Sequence, residues 1–138
     1  ALAVASSNAA AHGAAVHCME LDFLDTAAWG QLPVFDVIVS NPPYICTNEA
    51  AAMTPQVLHH EPHLALFVPD TDALLFYRTI AFFAQSHLSE GGMLWVEINQ
   101  QLGKETAALF REAGLEKVEL IQDMSGNDRF IKAIRANK

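Results

Sequence analysis

The residues best suited to chemistry in this sequence are four consecutive ones, Asn41-Pro42-Pro43-Tyr44. An asparagine amide offers a carbonyl acceptor and an NH2 donor, and a proline has a free backbone carbonyl although it lacks an N–H. Two acceptors held rigidly beside a Pro-Pro unit can bind one NH2 group, and the face of Tyr44 can pack on a planar amide or base. This Asn-Pro-Pro-Tyr motif therefore indicates group transfer to a planar amino nitrogen.

The segment before the motif predicts that it lies at the end of a buried strand. Residues Phe35–Ser40 are a short apolar run rich in β-branched side chains, which is typical of a strand buried on both faces. Two consecutive prolines cannot continue a sheet ladder, so the strand must end there. Ligands bind beyond the carboxyl ends of strands in open α/β sheets. The alternative is a turn that merely ends the strand.

The rest of the chain predicts helices and strands in an α/β order. The predicted helices cover residues 1–12, 74–88 and 102–113, and Asp70, Thr71 or Asp72 could cap the second. The other predicted strands are residues 15–19, 93–98, 117–122 and 130–135, and the last two form an antiparallel pair. A long ordered loop with a short helix near Ala50 is expected between residues 45 and 70.

Composition excludes several classes of protein. The 138 residues make at most one domain, and 16 acidic against 8 basic residues give a net charge of −8. Such a surface repels phosphate backbones, so a non-specific nucleic-acid binder is not expected, and no segment is apolar for long enough to span a membrane. The spacing of Cys18 and Cys46 matches neither a metal site nor a disulfide framework, so we expect reduced thiols and a cytoplasmic protein.

The segment around the motif resembles a known family. Val37-Ile-Val-Ser-Asn-Pro-Pro-Tyr-Ile45 is similar to the core motif of the HemK/PrmC methyltransferases, which use S-adenosylmethionine to methylate the side-chain amide of a glutamine in peptide chain release factors. Enzymes that methylate the amino group of adenine in DNA have the same four residues. The motif by itself thus gives the chemistry and leaves the substrate open.

Four further segments resemble the same family in the same order. They are Glu61-Pro-His-Leu-Ala-Leu-Phe67, Asp72-Ala-Leu-Leu-Phe-Tyr-Arg78, Leu88-Ser-Glu-Gly-Gly-Met-Leu-Trp-Val-Glu-Ile98 followed by Gln101 and Gly103, and Asp123-Met-Ser-Gly-Asn-Asp-Arg-Phe-Ile131. The chain departs from the pattern at His63, where the family usually has Arg, and at Ala73 and Asn99, where it usually has Gly. The resemblance covers nearly the whole chain.

The resemblance implies a Rossmann-like class I S-adenosylmethionine-dependent methyltransferase fold with a C-terminal antiparallel hairpin, truncated at the N-terminus. Residues 1–138 would be part of the catalytic domain, without the glycine-rich cofactor loop and the N-terminal helical domain. The chain begins inside a helix pattern, with no Met and no capping residue, so we expect an upstream part. In the family's sheet order, two further strands separate residues 15–19 from residues 35–40.

The resemblance also implies roles for individual residues. Asp22, Phe23 and Asn41 would bind the cofactor, with Phe23 against the adenine. Asn41, Pro42, Pro43 and Tyr44 would bind substrate and act in catalysis. The glutamine NH2 would donate to the Asn41 side-chain oxygen and the Pro42 carbonyl, and Tyr44 would pack on the amide. Release factors would be the partner, with direct in-line transfer and with no metal, direct nucleic acid contact or membrane.

Other residues give weaker signals. Adjacent histidines in a loop lack the i, i+4 spacing of a helical metal site, so no zinc site is predicted at His59, His60, Glu61 and His63. Glu97 is either a strand-end carboxylate bonded to nearby backbone or a group acting near the cofactor. Asp123 and Arg129 are predicted to brace the hairpin as an ion pair.

Two alternatives to the protein-glutamine methyltransferase stay open. One is an amino methyltransferase acting on adenine in nucleic acid, which would need a basic groove that the net charge of −8 does not favour. The other is an inactive fragment, because the cofactor loop is absent from the sequence.

Overall fold

The computed structural model describes residues 1–46 and 63–137 of the chain. The chain divides into two compact units, Ala1–Gln31 and Leu32–Lys138. The assignment of residues 1–138 to part of one catalytic domain remains a prediction.

The first unit contains one α-helix and one 3-10 helix. Helix α1, Leu2–Ala11, has no side-chain cap and no buried residue, and Gly13 follows it with a φ of +62°. The 3-10 helix, Thr26–Gln31, buries Trp29. The strand predicted at residues 15–19 is wrong, because a strand requires a pairing partner and no described strand pairs with this segment.

The second unit is built on a mixed four-stranded sheet. Its strands are β1 (Phe35–Ser40), β4 (Leu88–Glu97), β5 (Leu115–Gln122) and β6 (Asp128–Arg135), in the spatial order β1-β4-β6-β5. Strands β1 and β4 are parallel, whereas β6 runs antiparallel to both β4 and β5. The predicted C-terminal hairpin is therefore confirmed. A separate parallel pair joins β2 (Ile45–Cys46) and β3 (Phe67–Val68), inside the segment predicted as a loop.

Three α-helices of this unit lie among residues 63–137, and two of them pack on the sheet. Helix α2 is His63–Leu66, α3 is Leu75–His87 and α4 is Gly103–Glu112. The core side chains shared by α3, α4 and the sheet are fully or almost fully buried: Tyr77, Ile80, Phe83, Leu94, Val96, Phe110 and Ile131. Burial alternates along β4 and β6, so these two helices cover one face of the sheet.

Two predicted boundaries of these elements differ from the structure. Helix α3 has Leu74 at its N-cap position without a side-chain cap, because the Asp72 carboxylate accepts a hydrogen bond from Arg78 at 2.7 Å instead. Strand β4 starts at Leu88 and includes Gly91 and Gly92, whereas the sequence pattern predicts a strand only from residue 93. A Cβ atom at Gly92 would lie 2.8 Å from the Ser89 carbonyl oxygen and 3.0 Å from that of Asp36, so these close approaches of backbone require glycine. The short helix expected near Ala50 lies outside the described residues.

The sheet topology brings three chain segments to one edge. The carboxyl ends of the parallel strands β1 and β4 meet there, with Ser40 beside Val96. Because β6 is antiparallel to β4, its amino end reaches the same edge, with Phe130 beside Glu97. The pairing registers of β1 with β4 and of β4 with β6 are sufficient to place these three segments at one edge of the sheet. Among residues 1–46 and 63–137, no helix is both long and apolar enough to cross a membrane.

Candidate active site

The Asn-Pro-Pro-Tyr motif follows β1 at this edge. The side chain of Asn41 is exposed, Pro42 is buried, and Pro43 and Tyr44 are partly buried. The buried proline fixes the backbone of the motif to the protein, while the Asn41 amide remains accessible to a ligand. Location at the carboxyl end of a parallel strand agrees with the ligand sites of open α/β sheets.

A side-chain network holds the phenol of Tyr44. Its hydroxyl donates to Oε1 of Glu97, the last residue of β4, over 2.7 Å. The guanidinium of Arg129 places a positive charge near the same phenol, and its Nε donates to Oδ2 of Asp123 at 3.2 Å. One carboxylate from β4 therefore accepts a hydrogen bond from a hydroxyl of the motif, and one guanidinium from β6 lies near that hydroxyl.

The backbone of Tyr44 is held as well. The side-chain amide of Asn99 donates to the Tyr44 carbonyl oxygen at 3.2 Å. Its carbonyl oxygen accepts from the N–H of Gln101 at 2.9 Å and caps the short 3-10 helix Gln100–Leu102. The backbone N–H of Asn99 donates to the hydroxyl of Tyr77 at 3.0 Å. Asn99 thus connects the motif to helix α3.

Both phenols of the chain are stabilised in their neutral form. Burial, together with the hydrogen bond to Glu97 and the negative charge of that residue, raises the pKa of Tyr44 to about 12, while Arg129 opposes the shift. Burial also raises the pKa of Tyr77, and the hydrogen bond from the backbone of Asn99 opposes it. At neutral pH the Tyr44 hydroxyl is therefore a donor to Glu97.

These two residues are the only tyrosines in the sequence, which makes their ionisation directly measurable. We expect almost no phenolate absorbance from the folded chain at about pH 10, where half of the phenols in the urea-unfolded chain ionise. Because the folded chain keeps these protons, its free energy of unfolding should fall as the pH rises from about 10 through the pKa of Tyr44. Far-ultraviolet circular dichroism at each pH controls for unfolding, and half-ionisation of a folded chain at about pH 10 would contradict the described environments.

A cavity of about 340 Å³ lies at the same edge. Apolar and aromatic side chains form most of its wall, and polar groups of β1, the motif and β4 complete it: Val39, Trp95, Val96 and Phe130, with Ser40, Asn41 and Glu97. An amide that projects beside an apolar cavity can bind a polar group of a ligand whose remaining parts are shielded from water. The site is thus suited to binding a molecule that has both apolar and amide or amino groups.

Comparison with known proteins relates this site to a family. The chain is 46% identical over 132 residues to the release factor glutamine methyltransferase of Flavobacterium psychrophilum, an alignment that covers 96% of this chain and 46% of that protein. It is 47% identical over 133 residues to the protein of the same name from Cereibacter sphaeroides, covering 96% and 47%. The chain belongs to the release factor glutamine methyltransferase family. It spans about half the length of these relatives.

Solved structures agree with this family and its fold. A release factor-specific protein-(glutamine-N5) methyltransferase from Alicyclobacillus acidocaldarius superimposes with a TM-score of 0.57 and 27% identity, over 99% of this chain and 76% of that one. A methyltransferase from Pyrococcus furiosus, 15% identical, has a TM-score of 0.60 over 99% of this chain and 58% of its own, and supports the fold alone. The Rossmann-like class I methyltransferase fold is confirmed. No protein-family model matches the chain.

The residues that the family resemblance assigns to cofactor and substrate are divided between the two units. Asn41, Pro42, Pro43 and Tyr44 lie together in the second unit, whereas Asp22 and Phe23 lie in the first. There the exposed Asp22 carboxylate accepts a hydrogen bond from the N–H of Leu24 at 3.0 Å. The ring of Phe23 lies 5.5 Å from that of Trp29, whose indole N–H donates to the Phe23 carbonyl. Their roles in this family member remain predictions.

The hairpin between β5 and β6 is braced as the sequence predicted. Arg129 and Asp123 form an ion pair at 3.2 Å. The N–H groups of Asn127 and Ser125 also bind the Asp123 carboxylate, and together with Arg129 they hold the pKa of Asp123 below its ordinary value. The sequence predicts no zinc site at the histidine cluster. Three residues of this cluster, His59, His60 and Glu61, lie outside the described residues.

Sequence reasoning missed the partners of Tyr44. It left two interpretations of Glu97 open, a contact with nearby backbone and a role near the cofactor. In the structure the Glu97 carboxylate accepts a hydrogen bond from the Tyr44 phenol. It noted Asn99 only as a departure from a usual glycine, although this side chain binds the Tyr44 carbonyl. The available signal was the strand–helix–strand order of residues 35–40, 74–88 and 93–98, which favours a parallel pair with its carboxyl ends together.

Proposed function

We propose that this chain is the later part of a methyltransferase that transfers a methyl group from S-adenosylmethionine to the side-chain amide nitrogen of a glutamine in a peptide chain release factor. The observation that carries this proposal is the exposed amide of Asn41 beside an apolar cavity, in a motif fixed by buried Pro42 and by the contacts of Tyr44. The family relatives carry the same activity in their names.

The chain's own groups would orient the acceptor nitrogen. The glutamine NH2 would donate its two hydrogens to the Asn41 side-chain oxygen and the Pro42 carbonyl, which aims the nitrogen lone pair at the methyl group. An amide nitrogen is a poor nucleophile because its lone pair is delocalised into the carbonyl. Acceptors that bind the more tetrahedral, partly positive nitrogen of the transition state therefore lower the barrier. The ring of Tyr44 would pack on the amide plane. The nitrogen–methyl bond would form as the methyl–sulfur bond breaks, with S-adenosylhomocysteine as the product, and the nitrogen would lose one proton to solvent.

The described residues fit S-adenosylmethionine by the chemistry of their side chains. Bound S-adenosylmethionine supplies an electrophilic methyl group on a positively charged sulfur. In the second unit, Asn41 offers a donor and an acceptor beside an apolar cavity. In the first unit, Phe23 offers an aromatic ring and Asp22 an exposed carboxylate, groups suited to an adenine ring and to hydroxyl donors.

Charge and cysteine chemistry support a protein substrate in the cytoplasm. A net charge of −8 disfavours the phosphate backbone of DNA, the substrate of enzymes that share this motif. Cys18, the free cysteine among the described side chains, is consistent with a reducing compartment. We therefore favour glutamine over adenine as the methyl acceptor.

A competition experiment tests the choice of substrate. This chain, and a form of it extended upstream, are incubated with S-adenosylmethionine labelled in the methyl group, a bacterial release factor and an adenine-containing DNA duplex in the same tube. We expect label in the release factor and none above background in the DNA. Label in the DNA alone would assign adenine as the acceptor, and label in neither substrate with either form would contradict the proposed function.

A further inference from the structure

Two residues, one at the end of β4 and one just beyond it, contact Tyr44 of the Asn-Pro-Pro-Tyr motif. Glu97 accepts the hydrogen bond of the Tyr44 phenol, and Asn99 donates to the Tyr44 carbonyl. Ile98 between them is fully buried, and its N–H donates to the Arg129 carbonyl at 2.9 Å. Glu97 pairs with Phe130 of β6, so the two contacts flank backbone that β6 holds at Glu97 and Ile98.

The motif depends on such side-chain contacts for its orientation. Pro42 and Pro43 have no N–H, so they cannot donate the backbone hydrogen bonds that usually fix a loop. The Asn41 side chain is exposed, so packing does not restrict it. Buried Pro42 fixes the motif at one point, and Tyr44 is the next residue that can be held, because its hydroxyl donates to Glu97. A phenol used in this way sets the position of the ring and leaves the ring face for a substrate.

We propose that Glu97 and Asn99 are positioning residues, which hold Tyr44 and through it Asn41 and the two prolines in the arrangement that receives the methyl acceptor. Arg129, ion-paired with Asp123 of the hairpin, places a positive charge near the same phenol from the neighbouring strand β6. This inference rests on the proposed function for its effect on the reaction, whereas the holding of the loop can be measured without any substrate.

Kinetics of Glu97 variants test the effect on the reaction. In the form that methylates the release factor, Glu97→Ala should lower kcat by about 10–100-fold, because a small displacement of the acceptor site is costly. The KM for the methyl donor should change by less than about threefold, since Glu97 acts through Tyr44. Glu97→Gln, which keeps an acceptor oxygen without the charge, should lie between the wild type and Glu97→Ala. Glu116→Gln, an exposed carboxylate of β5, is the matched control.

A double-mutant cycle identifies Tyr44 as the residue through which Glu97 acts. Tyr44→Phe removes the hydroxyl and leaves the ring, so it should lower kcat as well. If the two residues act as one unit, adding Glu97→Ala to Tyr44→Phe should cause little further loss. Full additivity of the two effects would overturn the proposed route through Tyr44.

Hydrogen exchange of the 138-residue chain tests the holding of the loop without substrate. The backbone amides of Asn41, Tyr44 and Ile45 should exchange about tenfold faster in Glu97→Ala, and faster to a smaller extent in Glu97→Gln and Asn99→Ala. Peptides from α4 report whether each variant remains folded. Unchanged exchange together with wild-type kcat in Glu97→Ala would overturn the inference.

The two measurements separate this inference from the proposed function. Suppose that Glu97→Ala exchanges faster but that neither the 138-residue chain nor its extended form methylates glutamine. This result would support the positioning contacts and contradict the proposed function. Normal methylation by wild type and by Glu97→Ala alike would support the function and contradict the positioning role.

Discussion

Replacement of Asn41 by alanine is expected to reduce methyl transfer to the release factor by about 10²–10³-fold. The variant loses the side-chain oxygen that would accept a hydrogen from the glutamine NH2, so the nitrogen lone pair is no longer aimed at the methyl group. Because Asn41 is exposed and buries no apolar surface, the fold should remain intact. Single-turnover rates with a release factor, together with circular dichroism, measure the two effects separately.

Asn8→Ala provides the control for this prediction. Asn8 is an exposed asparagine of α1, so its replacement should leave the rate unchanged. Asn41→Asp is informative in addition, since it keeps an acceptor oxygen and adds a negative charge. An Asn41→Ala variant with a rate within about threefold of wild type would exclude the amide from the transition state that we propose.

Replacement of Phe110 by alanine is expected to lower the free energy of unfolding by about 3–5 kcal/mol. Phe110 lies in α4, is fully buried and belongs to the core between the helices and the sheet. Its removal would leave a cavity that the surrounding side chains fill only in part. Urea unfolding followed by circular dichroism gives the difference.

Phe82→Ala is the matched control for Phe110. Phe82 lies in α3 and is 57% exposed, so the same change should cost less than about 1 kcal/mol. Equal losses in the two variants would contradict the described core. A change in the denaturant dependence of either variant would indicate a change in the unfolded state and would be analysed separately.

Local patterns in the sequence were sufficient for much of the second unit. The apolar run of β1, the periodicity of α3 and α4 and the two alternating strands of the hairpin each carry their signal within about ten residues. Gly114 follows α4 with a φ of +83°, a conformation that glycine adopts readily at the end of a helix. In α3, α4 and β6 the apolar side chains that recur with the helix or strand period are the ones that the structure buries.

Features that depend on distant partners could not be predicted in the same way. Residues 15–19 have the composition of a strand but lack a described pairing partner. Asp72 has the chemistry of a helix cap, yet the guanidinium of Arg78 binds its carboxylate. The start of β4 at Leu88 depends on the pairing of Leu88 with Phe35 of β1. In each case a tertiary contact decides the outcome.

In the candidate site too, the adjacent residues could be predicted from the sequence and their distant partners could not. Asn41 to Tyr44 stand out because the four residues are adjacent in the chain, and the resemblance to a family adds their expected roles. The contact between Tyr44 and Glu97 joins residues 53 positions apart, so it depends on the pairing register of β1 and β4. A motif can therefore be read from sequence, whereas the groups that hold it require the structure.

Fragment-ion mass spectrometry of the release factor from the competition experiment tests the central claim most directly. The account predicts one added methyl group, located on the side-chain amide of a single glutamine, and its loss when Asn41→Ala replaces the wild-type chain. A methyl group on another type of side chain, or on adenine of the competing DNA with an unmodified release factor, would contradict the account.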